Sequence, residues 1–240
     1  MAMAIGELVA GCPPNGDNRF GPRVDVNCHN FDFTLLFEDT FFVVLPAALF
    51  LLLLPWRVQS LCKTPVKMTS YRLARWKLGL LAVLFVLHLL FLVFRLQAAQ
   101  LYTSLSNTSG VLSAVATLAA GLQSLLEDQR SLQPSDMLVL YFSMSAILSI
   151  PRLRSLWLIR SDYVTSTLWT AIFICITLTV IIESLRKTRF LSEQYQSATK
   201  EQTVSFWSRG LYIWVLPFFQ VGYSKIIKLA DIPRVHVDGT

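Results

Sequence analysis

The chain has 240 residues, of which 54% are hydrophobic and only 15% charged, against about 25% charged in soluble domains. With a mean hydropathy of +0.52, that balance tells against an ordinary water-soluble enzyme and for a polytopic membrane protein. The formal net charge of +6 would suggest nucleic acid for a soluble protein, but these basic residues flank apolar runs, so the expected partner is the bilayer and not nucleic acid.

Residues 1–30 are polar and turn-rich, with Pro13-Pro14, Asn15-Gly16 and Gly21-Pro22, and are too short for a core of their own. They read as an extracellular or lumenal segment. The start, MAMAIGELVAGC, lacks a basic n-region and is interrupted by Glu7, so a signal peptide is not expected. Val9-Ala10-Gly11-Cys12 imitates a lipoprotein cleavage box without the charged start and long apolar core that such signals need. Cys12 and Cys28 share this segment, and a disulfide between them is possible on the oxidising side of a membrane. Cys62 and Cys175 lie far apart, and the three histidines (His29, His88, His236) are scattered, so no metal site is visible.

The first span runs near 34–56. The stretch begins with carboxylates (Asp32, Glu38, Asp39), is uncharged from Thr40 to Trp56, and meets Arg57. Glu38 and Asp39 are adjacent, so on an α-helix they point apart, at a membrane edge. The following loop carries Arg57, Lys63, Lys67, Arg72, Arg75 and Lys77 without an acid, which places it in the cytosol and the N-terminus outside. The second span lies near 76–95. Its His88 reads either as a proton-relay or substrate contact or, preferably, as a neutral histidine bonded to a neighbouring helix.

Asn107-Thr108-Ser109-Gly110 is expected to break the uncharged stretch 96–126 and leave a third span near 108–126. Ser113, Thr117 and Gly121 recur every fourth residue there. Small residues at that spacing let helix backbones approach, either within the bundle or at a docking face. Asn107 opens a glycosylation sequon, expected to stay unoccupied because it lies close to the membrane. Glu127, Asp128, Arg130 and Asp136 read as a polar loop, with Ser135 capping the next helix.

The fourth span lies near 136–156, with Arg152, Arg154 and Arg160 near the outer interface, and the fifth near 163–183. The β-branched residues of the fifth would favour a strand in water, but in lipid the backbone must satisfy itself, so a helix wins. From 186 to 240 the texture is linker-like. Phe206-Trp207-Ser208-Arg209 opens a short aromatic stretch that includes Trp214 and is broken by Pro217, flanked by Arg209, Lys225 and Lys228. It reads as an amphipathic segment lying in the membrane interface, with a sixth span as the alternative.

Catalytic patterns are missing. Gly6, Gly11, Gly16 and Gly21 have the glycine spacing of a P-loop, but none of these pairs is followed by Lys-Ser/Thr. Gly-x-Ser-x-Gly and His-Glu-x-x-His do not occur. The chain is therefore not expected to be an enzyme.

Phe20-Gly21-Pro22, Phe31-Asp32-Phe33-Thr34-Leu35-Leu36-Phe37-Glu38, Pro134-Ser135 with Leu138, Leu140 and Tyr141, and Arg152-Leu153-Arg154-Ser155-Leu156-Trp157 resemble the N-terminal region of fungal subfamily C ABC transporters, the multidrug-resistance-associated type. Phe206-Trp207-Ser208-Arg209, Leu216-Pro217, Gly222-Tyr223 and Leu229-Ala230-Asp231-Ile232-Pro233 are similar to that family's lasso linker. The resemblance covers nearly the whole chain in order. It implies an all-α membrane protein: a five-helix accessory bundle, TMD0, over 31–185, then a cytosolic L0 linker over 186–240 with a lasso-like segment at 205–233. Phe206, Trp207, Arg209, Trp214 and Pro217 would form the lasso interface. It also implies vacuolar or plasma-membrane residence, and a partner in the ABC transporter core or another membrane protein, reached through the bundle and L0.

The full-length family uses ATP hydrolysis to export or sequester organic anions, glutathione conjugates and drugs. ATP and Mg would be needed only by nucleotide-binding domains outside this chain, which reads as truncated before the transport core. The expected role is accessory: trafficking, stability or docking. A free-standing membrane scaffold is the alternative, and a small carrier working around His88 a weaker one. Ser149 stands where the family pattern has an acidic residue, which tells against an ion pair inside the bundle.

Overall fold

A computed structural model describes residues 20–21, 33–64, 72–97, 104–131, 134–157, 163–185 and 204–224. Helix α1 (Leu45–Cys62) is entered through a π-helical segment, Glu38–Val44. Then come α2 (Arg72–Gln97), α3 (Ser104–Arg130), α4 (Asp136–Ser155) and α5 (Tyr163–Glu183). A strap follows, made of the single turn α6 (Phe206–Gly210), a 3-10 turn (Ile213–Val215) and α7 (Leu216–Ser224). Five of these helical stretches are long and apolar enough to cross a membrane: Glu38–Cys62, Ala74–Gln97, Asn107–Arg130, Asp136–Ser155 and Tyr163–Glu183. Twenty-four helical residues, as in the second and third of these, rise about 36 Å, more than the roughly 30 Å hydrocarbon core. The strap's helices are too short to add a sixth crossing among the described residues.

Each long helix is apolar over most of its circumference, so lipid and core both receive hydrophobic side chains. Which side faces inward is decided by packing. α1 packs on α3 and α4, α3 on α2, α2 on α5, and α5 on α4. The five helices thus close a ring. Its core includes Phe50, Leu84, Phe91, Phe142, Trp169 and Ile172. Leu49, Leu52, Leu118, Leu122, Ile147 and Ile181 remain exposed on the outside, as a lipid-facing surface requires.

Three local features set the ends. Pro46 sits in the first turn of α1, where its missing N–H costs least and where the π-helical segment gives way to α-helix. Phe20 packs on Phe37 and Phe41 with centroids 5.4 and 5.7 Å apart. The backbone N–H of Thr34 donates to the carbonyl of Gly21 at 3.2 Å, and Gly21 has φ +128°, a conformation that favours glycine. Ser135 caps α4 by accepting from the Leu138 N–H at 3.3 Å.

Two expectations fail. The Asn107-Thr108-Ser109-Gly110 stretch is not a break but lies within α3. Its hydroxyls find partners that only the folded helix supplies: Thr108 Oγ1 donates to the Leu105 carbonyl at 2.8 Å and Ser109 Oγ to Asp39 Oδ1 at 3.1 Å. Glu127, Asp128 and Arg130 are likewise the last turn of α3 rather than a loop, and the two acids are buried. They stay helical because cations from α1 and α2 reach them.

Candidate functional site

Charged side chains gather in two layers, one at each end of the ring. At the end where α1 begins, Asp39 is buried together with Arg152 of α4 and Arg95 of α2. Asp39 Oδ1 lies 2.8 Å from Arg152 Nη1 and 3.4 Å from Arg95 Nη2. Ser109 of α3 donates to the same oxygen and accepts from Arg95 Nη1 at 3.3 Å. Beside it, Ser155 donates to Glu38 Oε1 at 2.8 Å. The Arg152 guanidinium sits 4.4 Å from the Trp169 ring centroid of α5, and that of Arg95 sits 4.5 Å from Phe91. Flanking aromatic faces and a carboxylate are what make a guanidinium tolerable where water is scarce.

At the opposite end, Lys77 at the start of α2 reaches Asp128 Oδ1 at 3.0 Å and Glu183 Oε2 at 2.7 Å, joining α2, α3 and α5. Ser124 donates to Glu183 Oε1 at 2.5 Å. Arg57 of α1 donates to Glu127 Oε1 at 2.8 Å, and Gln123 donates to the same oxygen at 3.1 Å. Arg130 Nη1 donates to the Cys62 carbonyl at 2.8 Å, holding the end of α1.

Three expectations about these charges are corrected. Arg152 does not face outward at its end of the bundle: it is 1% exposed and points into the ring. Glu38 and Asp39 lie at the end of the first span, as expected, but both reach α4 and do not point apart. Both are buried, on the π-helical turn that opens α1. Ion pairs do exist inside the bundle despite Ser149: Asp39, on the π-helical turn that leads into α1, pairs with Arg152. The signal was available in principle, since ionisable residues at the ends of apolar spans face the bundle interior and pair.

Between the layers, a pocket of about 30 Å³ opens at the ring's centre. All five long helices contribute, with Val43, His88, Thr117, Tyr141, Ser149 and Trp169 among the lining residues. His88 Nδ1 donates to the Leu84 carbonyl of its own helix at 2.9 Å, not to a neighbouring helix as expected. A carbonyl accepts only, so the proton is on Nδ1 and Nε2 is left as an acceptor. Ser113 and Thr117 are buried on the inner side of α3 and also line the pocket. Their hydroxyls donate to the Ser109 and Ser113 carbonyls, both at 2.8 Å. Gly121 is buried as well, and a Cβ there would lie 3.9 Å from Leu78 of α2.

The strap is held against α4. Trp207 Nε1 donates to Ser143 Oγ at 2.9 Å, and Arg209 pairs with Asp136. Phe206 packs edge-on against Trp207, with centroids 5.3 Å apart. Trp214 is half-buried in the 3-10 turn, and Pro217 lies exposed near the start of α7. Tyr212 takes a left-handed conformation, φ 55°, between α6 and the 3-10 turn. Leu211, Tyr212, Leu216, Phe219 and Tyr223 are all exposed. Asn107 is half-buried in the first turns of α3. Cys12 and Cys28 lie outside the described residues. Among those residues no group of His, Cys, Asp or Glu is arranged to hold a metal ion.

The family profile described as the ABC transporter TMD0 domain matches residues 17–174. An ABC-type transporter of Gibberella zeae is 32% identical over 219 residues, which are 91% of this chain and 15% of that protein. The ABC transporter atnG of Emericella nidulans is 30% identical over 226 residues, 94% of this chain and 14% of its own length. The ABC multidrug transporter lscH of Purpureocillium lilacinum is 30% identical over 222 residues, 90% and 14% respectively. The chain therefore corresponds to about one seventh of the length of these relatives.

Proposed function

The chain belongs to the ABC transporter TMD0 domain family, and from that premise we propose that it serves as the accessory membrane domain of a subfamily C, multidrug-resistance-associated transporter. Its task is to position and stabilise a transport core, not to move substrate itself. ATP and Mg act at nucleotide-binding domains elsewhere, and the organic anions, conjugates or drugs pass through the core. The N-terminus faces outside or the lumen, the strap faces the cytosol, and the membrane is vacuolar or plasma membrane. The acid-free basic stretch from Arg57 to Lys77 supports that direction.

The observation that carries the reading is the strap. It is tied to α4 at Trp207 and Arg209 while an aromatic and aliphatic set, including Leu211, Tyr212 and Phe219, stays uncovered. A segment held in place yet apolar on its free side is suited to lie against a second hydrophobic body. The pocket size speaks against the carrier reading, since about 30 Å³ is far below the roughly 300–1,000 Å³ of small-molecule sites. The test is co-expression of the chain with the core of a related fungal transporter that lacks its own TMD0. Co-purification should be lost when residues 204–224 are replaced by a Gly/Ser linker. Equal recovery with and without the strap would sink the proposal.

A further inference from the structure

The central pocket has a hydrogen-bonding inventory that the protein leaves incomplete. Trp169 Nε1 is buried without a hydrogen-bond partner, and the side chain is only 5% exposed and lines the pocket. An orphaned donor of this kind is costly. Among the other polar lining groups, Tyr141 and Ser145 bond to one another, and the rest have their protons engaged. His88 has committed its proton to the Leu84 carbonyl, which leaves Nε2. Ser113, Thr117 and Ser149 have spent their hydroxyl protons on the carbonyls of Ser109, Ser113 and Ser145. The pocket thus sets the unpartnered Trp169 N–H beside His88 Nε2 and the hydroxyl oxygens of Ser113, Thr117 and Ser149, and a complementary guest must both accept and donate.

We infer that this pocket binds a structural water, which accepts from Trp169 Nε1 and donates to His88 Nε2 and to a hydroxyl oxygen of α3 or α4. Size and charge select water over other guests. A volume of about 30 Å³ exceeds the roughly 10–15 Å³ that one water needs and leaves no room for an organic ligand. A metal cation or ammonium would leave the Trp169 N–H unsatisfied. It would also sit beside the Arg152 guanidinium, which stacks on that same ring at 4.4 Å. The water would bridge helices α2 and α5, and either α3 or α4, that have no side-chain hydrogen bond to one another at this depth among the contacts described. His88 is then a water anchor, and its role needs no proton transfer.

The full chain in lipid nanodiscs tests this in two ways. A structure at a resolution that shows waters should reveal one compact peak within hydrogen-bond distance of both Trp169 Nε1 and His88 Nε2. An empty pocket, or elongated density from an acyl chain or detergent, overturns the inference. Trp169→Phe keeps the ring under Arg152 and removes the N–H, and His88→Leu removes the acceptor at similar volume. Each should lower the thermal midpoint by about 2–4 °C. The double variant should fall about as far as the worse single variant, because the same water is lost only once. A double-variant drop equal to the sum of the singles would mean that the two groups share no guest, and the inference fails.

Discussion

Arg152 Nη1 and Asp39 Oδ1 meet 2.8 Å apart, each side chain almost wholly closed to solvent. Asp39 also receives Arg95 and Ser109, so one carboxylate from the π-helical turn before α1 gathers α2, α3 and α4. Removing a single partner from such a buried pair leaves an uncompensated charge and costs about 3–5 kcal/mol. Asp39→Ala should be the more harmful change, since it strips both arginines of this carboxylate. Arg152→Met still leaves Asp39 with Arg95. Combining the two should cost less than their sum, because neither charge is then stranded. Thermal unfolding of the purified chain checks the ranking; single variants within about 0.5 kcal/mol of the parent would refute a structural role for the pair.

Lys77 plays the corresponding part at the other end, where it touches Glu183 at 2.7 Å and Asp128 at 3.0 Å. Lys77→Ala leaves two buried acids facing each other without their shared cation. Asp128→Asn keeps the Lys77–Glu183 contact. The first change should therefore destabilise by about 3–5 kcal/mol and the second by less. Membrane-inserted yield and unfolding midpoint of the two variants give the comparison, and an inverted order would show that Asp128 is the partner that matters.

Spans are legible in this sequence and helix facing is not, for a physical reason. Five apolar runs are visible because length and absence of charge are enough to mark a span. Facing is not visible, because helices such as α2 and α5 are apolar all round and carry little periodic signal. Arg152 therefore read as an interface residue, when its partner lies on a helix distant in sequence. Asn107 to Gly110 read as a turn because the local rule for Asn, Ser and Gly is a statement about exposed chain. Inside the ring Ser109 has Asp39 to bond, and the local preference is overridden. Glu127 and Asp128 have a loop-like local texture for the same reason, and cations from α1 and α2 override it. The strap's aromatic texture was visible, but its attachment to Ser143 and Asp136 was not, since no local pattern links 207 to 143.

Asn107 is half-buried within the helical start of α3, and its side-chain oxygen is buried. Glycan transfer needs an accessible, extended sequon, so this one should stay unmodified. Expression in a glycosylating host, followed by endoglycosidase treatment, should leave the electrophoretic mobility of the chain unchanged. A shift that Asn107→Gln abolishes would place the start of α3 outside the helix during biosynthesis.

The two strap contacts should differ in strength. Arg209 and Asp136 are each 31% exposed, and pairs of that kind contribute about 0.2–1 kcal/mol. Trp207 donates to a buried serine at 2.9 Å and also buries part of its ring. Trp207→Ala should therefore release the strap more readily than Arg209→Ala, with Trp207→Phe between them at about 0.5–1.5 kcal/mol. Limited proteolysis within 204–224 reads out release. The charge swap of Asp136→Arg with Arg209→Asp should restore the protection lost in either single change. Cleavage at the same rate in every variant would mean that neither contact holds the strap.

Gly110 marks the close approach of α3 to α2. A Cβ built there would fall 2.9 Å from Leu92 Cδ1, the end of a flexible side chain and not backbone. In Gly110→Ala, turning Leu92 aside costs about 0.5–1.5 kcal/mol, while the helix gains about 1 kcal/mol from replacing glycine. The two nearly cancel, so the variant should lie within about 1 kcal/mol of the parent. Gly110→Leu cannot be absorbed by one rotamer change. It must push α2 and α3 apart beside Arg95 and Ser109, with an overpacking cost of about 1–3 kcal/mol. Unfolding midpoints should therefore show Ala tolerated and Leu penalised. If leucine is as stable as glycine, the two helices do not meet at this point, and the Arg95–Ser109–Asp39 cluster must be held by other contacts.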